Sequence, residues 1–177
     1  MVRALPGVGT FHPITDRDHV VWARICTFVQ DTPGAFTRDP NIGGHITGSM
    51  FVLSQDRTSV LLSLHAKLGI WIQPGGHCDG IADARFTALK EAYEESGLAR
   101  VRLLSDDVFD VDIHDIPAFG TDPAHLHYDI RFLAQAEAGE IAISDESLDL
   151  RWIPLDDLDG FTTDPSLLRM RNKALTL

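Results

Sequence analysis

The first apolar pattern along the chain has the spacing of an α-helix. Residues 20–29 carry an apolar stripe on one side of such a helix. Thr15 followed by Asp18 resembles a capping box at its start, and a Pro-Gly pair at positions 33 and 34 ends it. We therefore predict an N-terminal helical extension, residues 1–41, whose helix packs on the core or on a second copy of the chain.

From residue 45 onward the helical spacing gives way to short apolar runs separated by turns. Runs of this length with turn residues between them are typical of β-strands. The predicted strands cover residues 46–54, 59–65, 71–72, 101–113, 125–136 and 150–153.

Helical spacing returns at residues 83–96, where alanines at positions 84, 88 and 92 share one narrow face. Gly97 is suited to cap this helix, because glycine adopts the left-handed conformation at low cost. A last helix is predicted over residues 165–174. The order of elements predicts an α+β fold in which a sheet lies between helices, formed by a domain of residues 42–177.

Composition narrows the class of protein. A chain of 177 residues with 44% hydrophobic content suits about one globular domain. The formal net charge of −11 repels a phosphate backbone, so no nucleic-acid partner is expected. No run has the length of a membrane span and no secretory signal is evident, so we expect no membrane partner. Two cysteines form no disulfide framework, which favours the reducing cytoplasm.

Three carboxylates on the central helix are the most informative side chains. Glu91, Glu94 and Glu95 lie at spacings of three and four, so they share one side of the helix. Like charges at this spacing repel one another, and a hard divalent cation such as Mg²⁺ would neutralise them. The alternative is a solvated acidic face. A turn at Gly75-Gly76 precedes the helix and lets the backbone approach a ligand closely.

With the turn included, residues 76–98 resemble the Nudix box of hydrolases that act on nucleoside diphosphates linked to another moiety. The box has Gly, five residues, Glu, seven residues, then Arg-Glu-apolar-any-Glu-Glu-any-Gly-apolar. Residues 90–98 read Lys-Glu-Ala-Tyr-Glu-Glu-Ser-Gly-Leu, in register with Gly76. Residues 44–49, 68–77 and 125–129 are similar to a bacterial Nudix subgroup with a Gln-Pro-Gly-Gly-His turn. The resemblance implies an α/β/α sandwich with a mixed sheet, and metal-dependent hydrolysis of a phosphoanhydride with Mg²⁺ or Mn²⁺.

Two positions depart from the box. Its first Glu falls on Ala82 and its Arg falls on Lys90. In the family these two residues typically form a charge pair, so their joint change suggests a different loop conformation. Asp79 or Asp83 could replace the glutamate, with Lys90 as a monodentate partner.

The resemblance also implies roles for the carboxylates. Glu91 and Glu95 are expected to bind the metal, with Glu94 as a third ligand or as the catalytic base. A backbone carbonyl at Gly75 or Gly76 would complete the metal shell. Glu146, in a loop before the last predicted strand, is a second candidate for the general base. A polar loop residue without a catalytic role is the alternative for Glu146.

Several histidines fall close to these motifs. His77 follows the turn, His65 ends the strand before it, and His125 and His127 alternate on one strand face that continues to Asp129. They could form a polar wall that contacts substrate phosphate or binds a second metal through imidazole. Alternatively, they are hydrogen-bonded to the backbone beneath the sheet. The residues that we expect to bind substrate are His45, His77, His127 and Asp129.

Two further functions remain open at the sequence level. Ala82 and Lys90 are compatible with a catalytically silent domain that binds a nucleotide. Cys78, His77 and His65 are compatible with an isomerase resembling the isopentenyl diphosphate isomerases, which share the fold. For each of the three functions the expected ligand is a small diphosphate compound. A homodimer through the N-terminal helix is plausible.

Overall fold

The structure, a computed structural model, describes residues 4–66, 69–144 and 147–177. Three α-helices and a 3₁₀ helix frame eight strands. The helices are α1 (Asp16–Asp31), α2 (Ala84–Ser96) and α3 (Pro165–Ala174), and the 3₁₀ helix spans Leu155–Gly160. The strands are β1 (Gly44–Leu53), β2 (Ser59–His65), β3 (Trp71–Ile72), β4 (Gly75–His77), β5 (Arg100–Leu103), β6 (Asp110–Ile116), β7 (His125–Ala138) and β8 (Ser147–Pro154).

A single mixed sheet joins the strands around β1. This strand runs parallel to β7 over its whole length, from the Gly44 and Leu126 pair to the Leu53 and Gln135 pair. The other pairings between these described strands are antiparallel. The short β4 pairs with the middle of β1, and β6 pairs with the first half of β7. The middle of β1 therefore lies between β4 and β7.

Helices cover both faces of the sheet, which confirms the predicted α/β/α sandwich. On one face, α1 and α2 pack in a core that includes Ile46, Met50 and Ile130. On the other face, α3 and the 3₁₀ helix pack in a core that includes Phe51 and Leu133. The two cores follow from strand alternation, because successive side chains point to opposite faces.

Helix α2 approaches the sheet very closely. Its buried side is made of small residues such as Ala84 and Ala88, as the alanine spacing predicted. Opposite them, a β-carbon on Gly48 of β1 would lie 2.3 Å from the Ala84 carbonyl oxygen. Glycine is therefore required there. Gly97 caps the helix with a φ of 67°, as predicted.

One predicted strand is wrong in its extent. Residues 101–113 form two strands, β5 and β6, with a turn between them. In this turn the backbone N–H of Asp107 donates a hydrogen bond to the Ser105 hydroxyl. Short polar side chains that bond to nearby backbone favour turns over strands, which explains the interruption.

Helix α1 packs on its own chain. Thr15 and Asp18 form the predicted capping box, and Ile25 is completely buried. The Phe28 ring stacks on Tyr128 of β7 at 3.9 Å between centroids. The apolar stripe thus contributes to the main core, and a homodimer through this helix stays a prediction. None of the described helices is both long and apolar enough to cross a membrane.

Candidate active site

The carboxylates of α2 meet the turn at β4. The backbone N–H of Gly75 donates to the Glu95 carboxylate at 3.2 Å. A β-carbon on Gly76 would lie 2.7 Å from the Glu91 carboxyl carbon, so the Glu91 carboxylate lies directly against this glycine. The turn therefore brings together two predicted metal ligands, Glu91 and Glu95, and the two glycines whose backbone carbonyls were predicted to bind the metal.

Glu94 lies further out. Its side chain is 59% exposed, against 15% for Glu91. The Lys90 ammonium lies 3.0 Å from the Glu94 carboxylate and 3.1 Å from that of Glu91. Hydrogen bonds to Glu94 and then to Glu91 raise the pKa of Lys90. Lys90 thus partly neutralises the acidic cluster from the solvent side.

The two aspartates expected to pair with Lys90 have other partners. Asp79 receives hydrogen bonds from the Arg38 guanidinium at 2.6 and 2.9 Å. Asp83 caps α2 by accepting from the backbone N–H of Phe86. Neither aspartate pairs with Lys90, so that expectation is wrong. Instead, the loop before α2 is tied to the N-terminal extension through Arg38, which the sequence motif does not contain.

The oxygen atoms at this turn are suitable ligands for a hard divalent cation. Glu91 and Glu95 offer carboxylate oxygens, and Gly75 and Gly76 offer backbone carbonyls, which are the ligand types that Mg²⁺ prefers. The absence of side chains at positions 75 and 76 keeps the space in front of the carboxylates open, because a β-carbon on Gly76 would collide with Glu91. The residues present therefore fit the metal that the box implies.

A cleft of about 470 Å³ adjoins the turn. The backbone of Gly75 and Gly76 forms part of its wall, and the predicted substrate-binding residues His77, His127 and Asp129 also line it. The other lining residues include Thr47, Ser49, His65, Gln73, Asp112, His114 and Arg131. The cleft thus runs from the turn over β1, β6 and β7, and both polar groups and apolar surface line it.

The histidines form a cluster at one end of the sheet. Parallel pairing sets His45 of β1 beside His127 of β7, and His77 of β4 lies next to both. The centroid of His45 lies 4.7 Å from that of His127 and 5.0 Å from that of His77. His114 and His125 also contact His127. The structure thus brings together the three histidines predicted to bind substrate, and adds His114, which the sequence did not single out.

Two of these imidazoles, His45 and His127, are held in the neutral form. Burial, and then the neighbouring His77, lower the pKa of His45 to about 4. Burial, and then His45, lower the pKa of His127 to about 2. The cluster therefore offers nitrogen lone pairs rather than positive charges at neutral pH.

The histidines and the helix carboxylates lie on opposite faces of β4. Gly76 pairs with Gly48, which faces α2, whereas His77 pairs with Thr47, whose hydroxyl donates to Asp129 on the other face. Strand alternation therefore separates His77 from Glu91. The predicted site residues form two groups, joined by the Gly75-Gly76 backbone.

Asp129 belongs to a buried network of hydrogen bonds and ion pairs that the sequence did not predict. It accepts hydrogen bonds from the hydroxyls of Thr47 and Ser49 and from Arg131. Arg131 is 3% exposed and also faces Asp110 and Asp112 of β6. Burial alone would lower the pKa of Arg131, but these aspartates raise it above its ordinary value. The alternation of Asp129 and Arg131 on β7, in phase with the histidines, was the signal that could have revealed this network.

Two further residues, Cys78 and Glu146, were also candidates for a role in catalysis. Cys78 is buried, and burial raises the pKa of its thiol to about 11, so the thiol is protonated at neutral pH. Glu146, the second candidate for the general base, lies outside the described residues.

Comparisons with known proteins agree with this geometry. A family model described as NUDIX domain matches residues 44–172. A Clostridium perfringens hydrolase of the NUDIX family is 22% identical, with a TM-score of 0.60 over 75% of this chain and 97% of that chain. The C. elegans Ap4A hydrolase in a binary complex is 17% identical, with a TM-score of 0.60 over 74% of this chain and 95% of that chain.

A further solved structure with this fold is the NUDIX domain of Shewanella oneidensis NrtR complexed with ADP ribose. It is 18% identical, with a TM-score of 0.53 over 74% of this chain and 86% of that chain. A search of curated protein sequences finds no match. Since the family model covers most of the chain, this protein belongs to the Nudix family and is a hydrolase of pyrophosphate bonds.

Proposed function

We propose that this protein hydrolyses a phosphoanhydride in a nucleoside diphosphate linked to another moiety, with Mg²⁺ or Mn²⁺ as its cofactor. The observation that carries the proposal is the convergence of the Glu91 and Glu95 carboxylates on the Gly75-Gly76 turn. Two proteins of similar fold, the C. elegans Ap4A hydrolase and the NrtR domain complexed with ADP ribose, support a nucleotide substrate. The site of action would be the cytoplasm, where such compounds are available.

Glu91 and Glu95 would hold the cation, together with a carbonyl of Gly75 or Gly76. A bound divalent ion neutralises charge on phosphate oxygens and lowers the pKa of a bound water. The hydrogen bond from the Gly75 N–H holds the Glu95 carboxylate beside the turn, where the cation would bind. Lys90 limits the net charge of the cluster through its pairs with Glu91 and Glu94.

The general base is proposed to be Glu94 or Glu146. Glu94 is exposed next to the metal-binding carboxylates, so a water molecule can reach it. Replacing the base lowers kcat with little effect on the concentration of Mg²⁺ required, whereas replacing a metal ligand raises that concentration. The roles of Glu94 and Glu146 can therefore be distinguished by titrating Mg²⁺ into the Glu94→Gln and Glu146→Gln variants at saturating substrate.

The cleft beside the turn is the proposed substrate site. His77, His127 and Asp129 line it, and His45 supports them from beneath. Neutral imidazoles can donate hydrogen bonds to phosphate or ribose without placing a fixed charge in the cleft.

The test is a hydrolysis screen of purified protein against dinucleoside polyphosphates, nucleotide sugars, ADP-ribose and nucleoside triphosphates, with Mg²⁺ and then Mn²⁺. We expect turnover of one class, lowered at least ~100-fold in Glu95→Gln, since transition-state charge would lose its counter-ion. Glu140→Gln, which alters an exposed glutamate in the loop after β7, is the matched control and should keep wild-type turnover.

A different result would identify the alternative. Nucleotide binding without turnover in every condition would favour the silent binding domain, which the Ala82 and Lys90 departures from the box motivate. Allylic rearrangement of isopentenyl diphosphate would favour the isomerase, but the buried, protonated Cys78 thiol argues against that chemistry.

A further inference from the structure

Three imidazoles from three different strands converge on a single point of the cleft wall. His45, His77 and His127 each bring one ring nitrogen to within 4.8 Å of the other two. These histidines are far apart in sequence, and only the pairing of β1 with both β4 and β7 brings them together. Nitrogen ligands of this type suit zinc and its transition-metal neighbours, whereas Mg²⁺ prefers oxygen.

One of these nitrogens is buried without a partner. His45 is 4% exposed, and its Nε2 atom makes no hydrogen bond with any of the described residues. Buried polar atoms are nearly always paired, so an unpaired one needs an explanation. A metal ion bound within the cluster supplies the missing partner.

A fourth histidine lies on the open side of the cluster. The Nδ1 atom of His125 lies 2.8 Å from the carbonyl oxygen of Pro123, which can only accept, so Nδ1 carries a proton. The Nε2 atom of His125 lies 3.3 Å from Nε2 of His127. Two nitrogens bound to one tetrahedral Zn²⁺ at ~2.05 Å are about 3.3 Å apart, so this separation matches that of two ligands of one ion.

We propose that His45, His77 and His127 bind a transition-metal ion, with Zn²⁺ as the best match, and that the fourth position lies between His125 and the cleft. This site is distinct from the carboxylate site, because strand alternation places His77 and Glu91 on opposite faces of β4. The proposal of a histidine metal site does not depend on the proposed hydrolase activity. A bound ion would tie β4 to β1 and β7 and would present an electrophilic position to the substrate cleft.

The experiment measures metal binding directly, on untagged full-length protein stripped with a chelator. Zn²⁺ is titrated in competition with a chromophoric chelator, in the presence of excess Mg²⁺ to occupy the carboxylate site. Co²⁺ is titrated separately, because tetrahedral Co²⁺ gives intense visible absorption. We expect one tightly bound Zn²⁺ per chain and a tetrahedral Co²⁺ spectrum.

His77→Gln and His127→Gln remove one ligand each, and both side chains are only half-buried, which favours retention of the fold. We expect at least a ~100-fold loss of Zn²⁺ affinity in each, with the wild-type circular dichroism spectrum. The matched control is His19→Gln, which removes an exposed histidine from α1 and should bind Zn²⁺ as the wild type does.

Several outcomes would overturn the site. Absence of tight Zn²⁺ or Co²⁺ binding by the wild type would mean that the histidines form only a hydrogen-bonded cluster. Unchanged affinity in both histidine variants, or loss of the ion in Glu91→Gln and Glu95→Gln instead, would assign the metal elsewhere. None of these readouts needs turnover, so they can be separated from a failure of the proposed hydrolase activity.

Discussion

The Glu91 carboxylate occupies the space that a side chain at Gly76 would need. A β-carbon built on Gly76 would approach both the carboxyl carbon and one oxygen of Glu91 to 2.7 Å. The contact links the first residue of the box to its helix across the sheet surface. It explains physically why a glycine stands at this position, because the Glu91 carboxylate, a proposed metal ligand, could not otherwise lie against the turn.

Gly76→Ala should therefore lower the catalytic activity strongly and the stability of the fold only slightly. The added methyl group meets the far end of a flexible side chain, so Glu91 can turn away at a cost of about 1 kcal/mol. The displaced carboxylate can no longer share a cation with Glu95, and we expect kcat/KM to fall at least ~100-fold. Steady-state kinetics and urea unfolding of the same variant measure the two effects.

Gly160→Ala is the control for this prediction. Gly160 ends the 3₁₀ helix, and a β-carbon there meets no atom within 4 Å. Its activity should equal that of the wild type. If Gly76→Ala retained full activity, the Glu91 carboxylate would not need its observed position for catalysis.

The carboxylate half of the site could be predicted from sequence because it is local. Glu91 and Glu95 lie four residues apart on one helix, and the helical period alone puts them on the same side. Gly76 stands at a fixed spacing before that helix in a recognised motif. The same local rules gave the capping box at Thr15 and the glycine cap at Gly97, and the structure confirms both.

The sequence identified most of the clustered histidines and suggested a polar wall, but it could not predict which of them contact one another, because those contacts depend on strand register. His45 meets His127 only because β1 and β7 pair in parallel with Gly44 opposite Leu126. A shift by one residue would turn His45 to the other face. Arg131 and Asp112 were missed for the same reason, since their contact requires the antiparallel register of β6 on β7.

The Cys78 thiol should be inert in the folded protein. Burial raises its pKa to about 11, so roughly one thiol in a thousand is ionised at about pH 8. We expect an aromatic disulfide reagent to label Cys78 at least ~100-fold more slowly in the native state than in urea. Cys26, which is half-buried, is the internal control and should react first.

Activity should also be independent of this thiol. Cys78→Ala removes one buried sulfur at a cost of about 1 kcal/mol and should keep kcat within about threefold. Loss of turnover by a variant that remains folded would instead show that the sulfur takes part in the reaction.

Arg131 should be essential for stability because it is the shared partner of buried aspartates. Its guanidinium faces Asp129, Asp110 and Asp112 and is 3% exposed. Arg131→Gln removes the cation that Asp129 contacts and one of the cations beside Asp110 and Asp112, and we expect the free energy of unfolding to fall by about 3–5 kcal/mol. Urea unfolding measures the change.

The control for this variant is an arginine in an exposed pair. Arg85 bonds Asp106 at 2.7 Å, and both side chains are exposed. Arg85→Gln should change the free energy of unfolding by less than about 0.5 kcal/mol. Equal effects of the two substitutions would contradict the view that the buried network stabilises the sheet.

Asp112 provides a pH-dependent test of the same network. Burial alone would raise the pKa of Asp112, but a hydrogen bond with His114 and the charges of Arg131, Arg169 and Arg17 lower it well below the ordinary value of 3.8. These partners come from β6, β7, α3 and α1, so ionised Asp112 ties all four elements together. Because the pKa is lower in the folded protein, the stabilisation is complete above the unfolded pKa and is lost as the pH falls below it.

Asp112→Asn should therefore be less stable than the wild type at neutral pH, by about 1–3 kcal/mol. The difference should shrink steadily as the pH falls below about 3.8, because Asp112 of the unfolded wild-type chain then binds a proton that the folded carboxylate does not. Urea midpoints of both proteins between about pH 7 and about pH 3 measure it, with Asp106→Asn as the exposed control that should match the wild type throughout. A gap between wild type and Asp112→Asn that stayed constant over this range would mean that Asp112 acts through its shape and hydrogen bonds, and not through its charge.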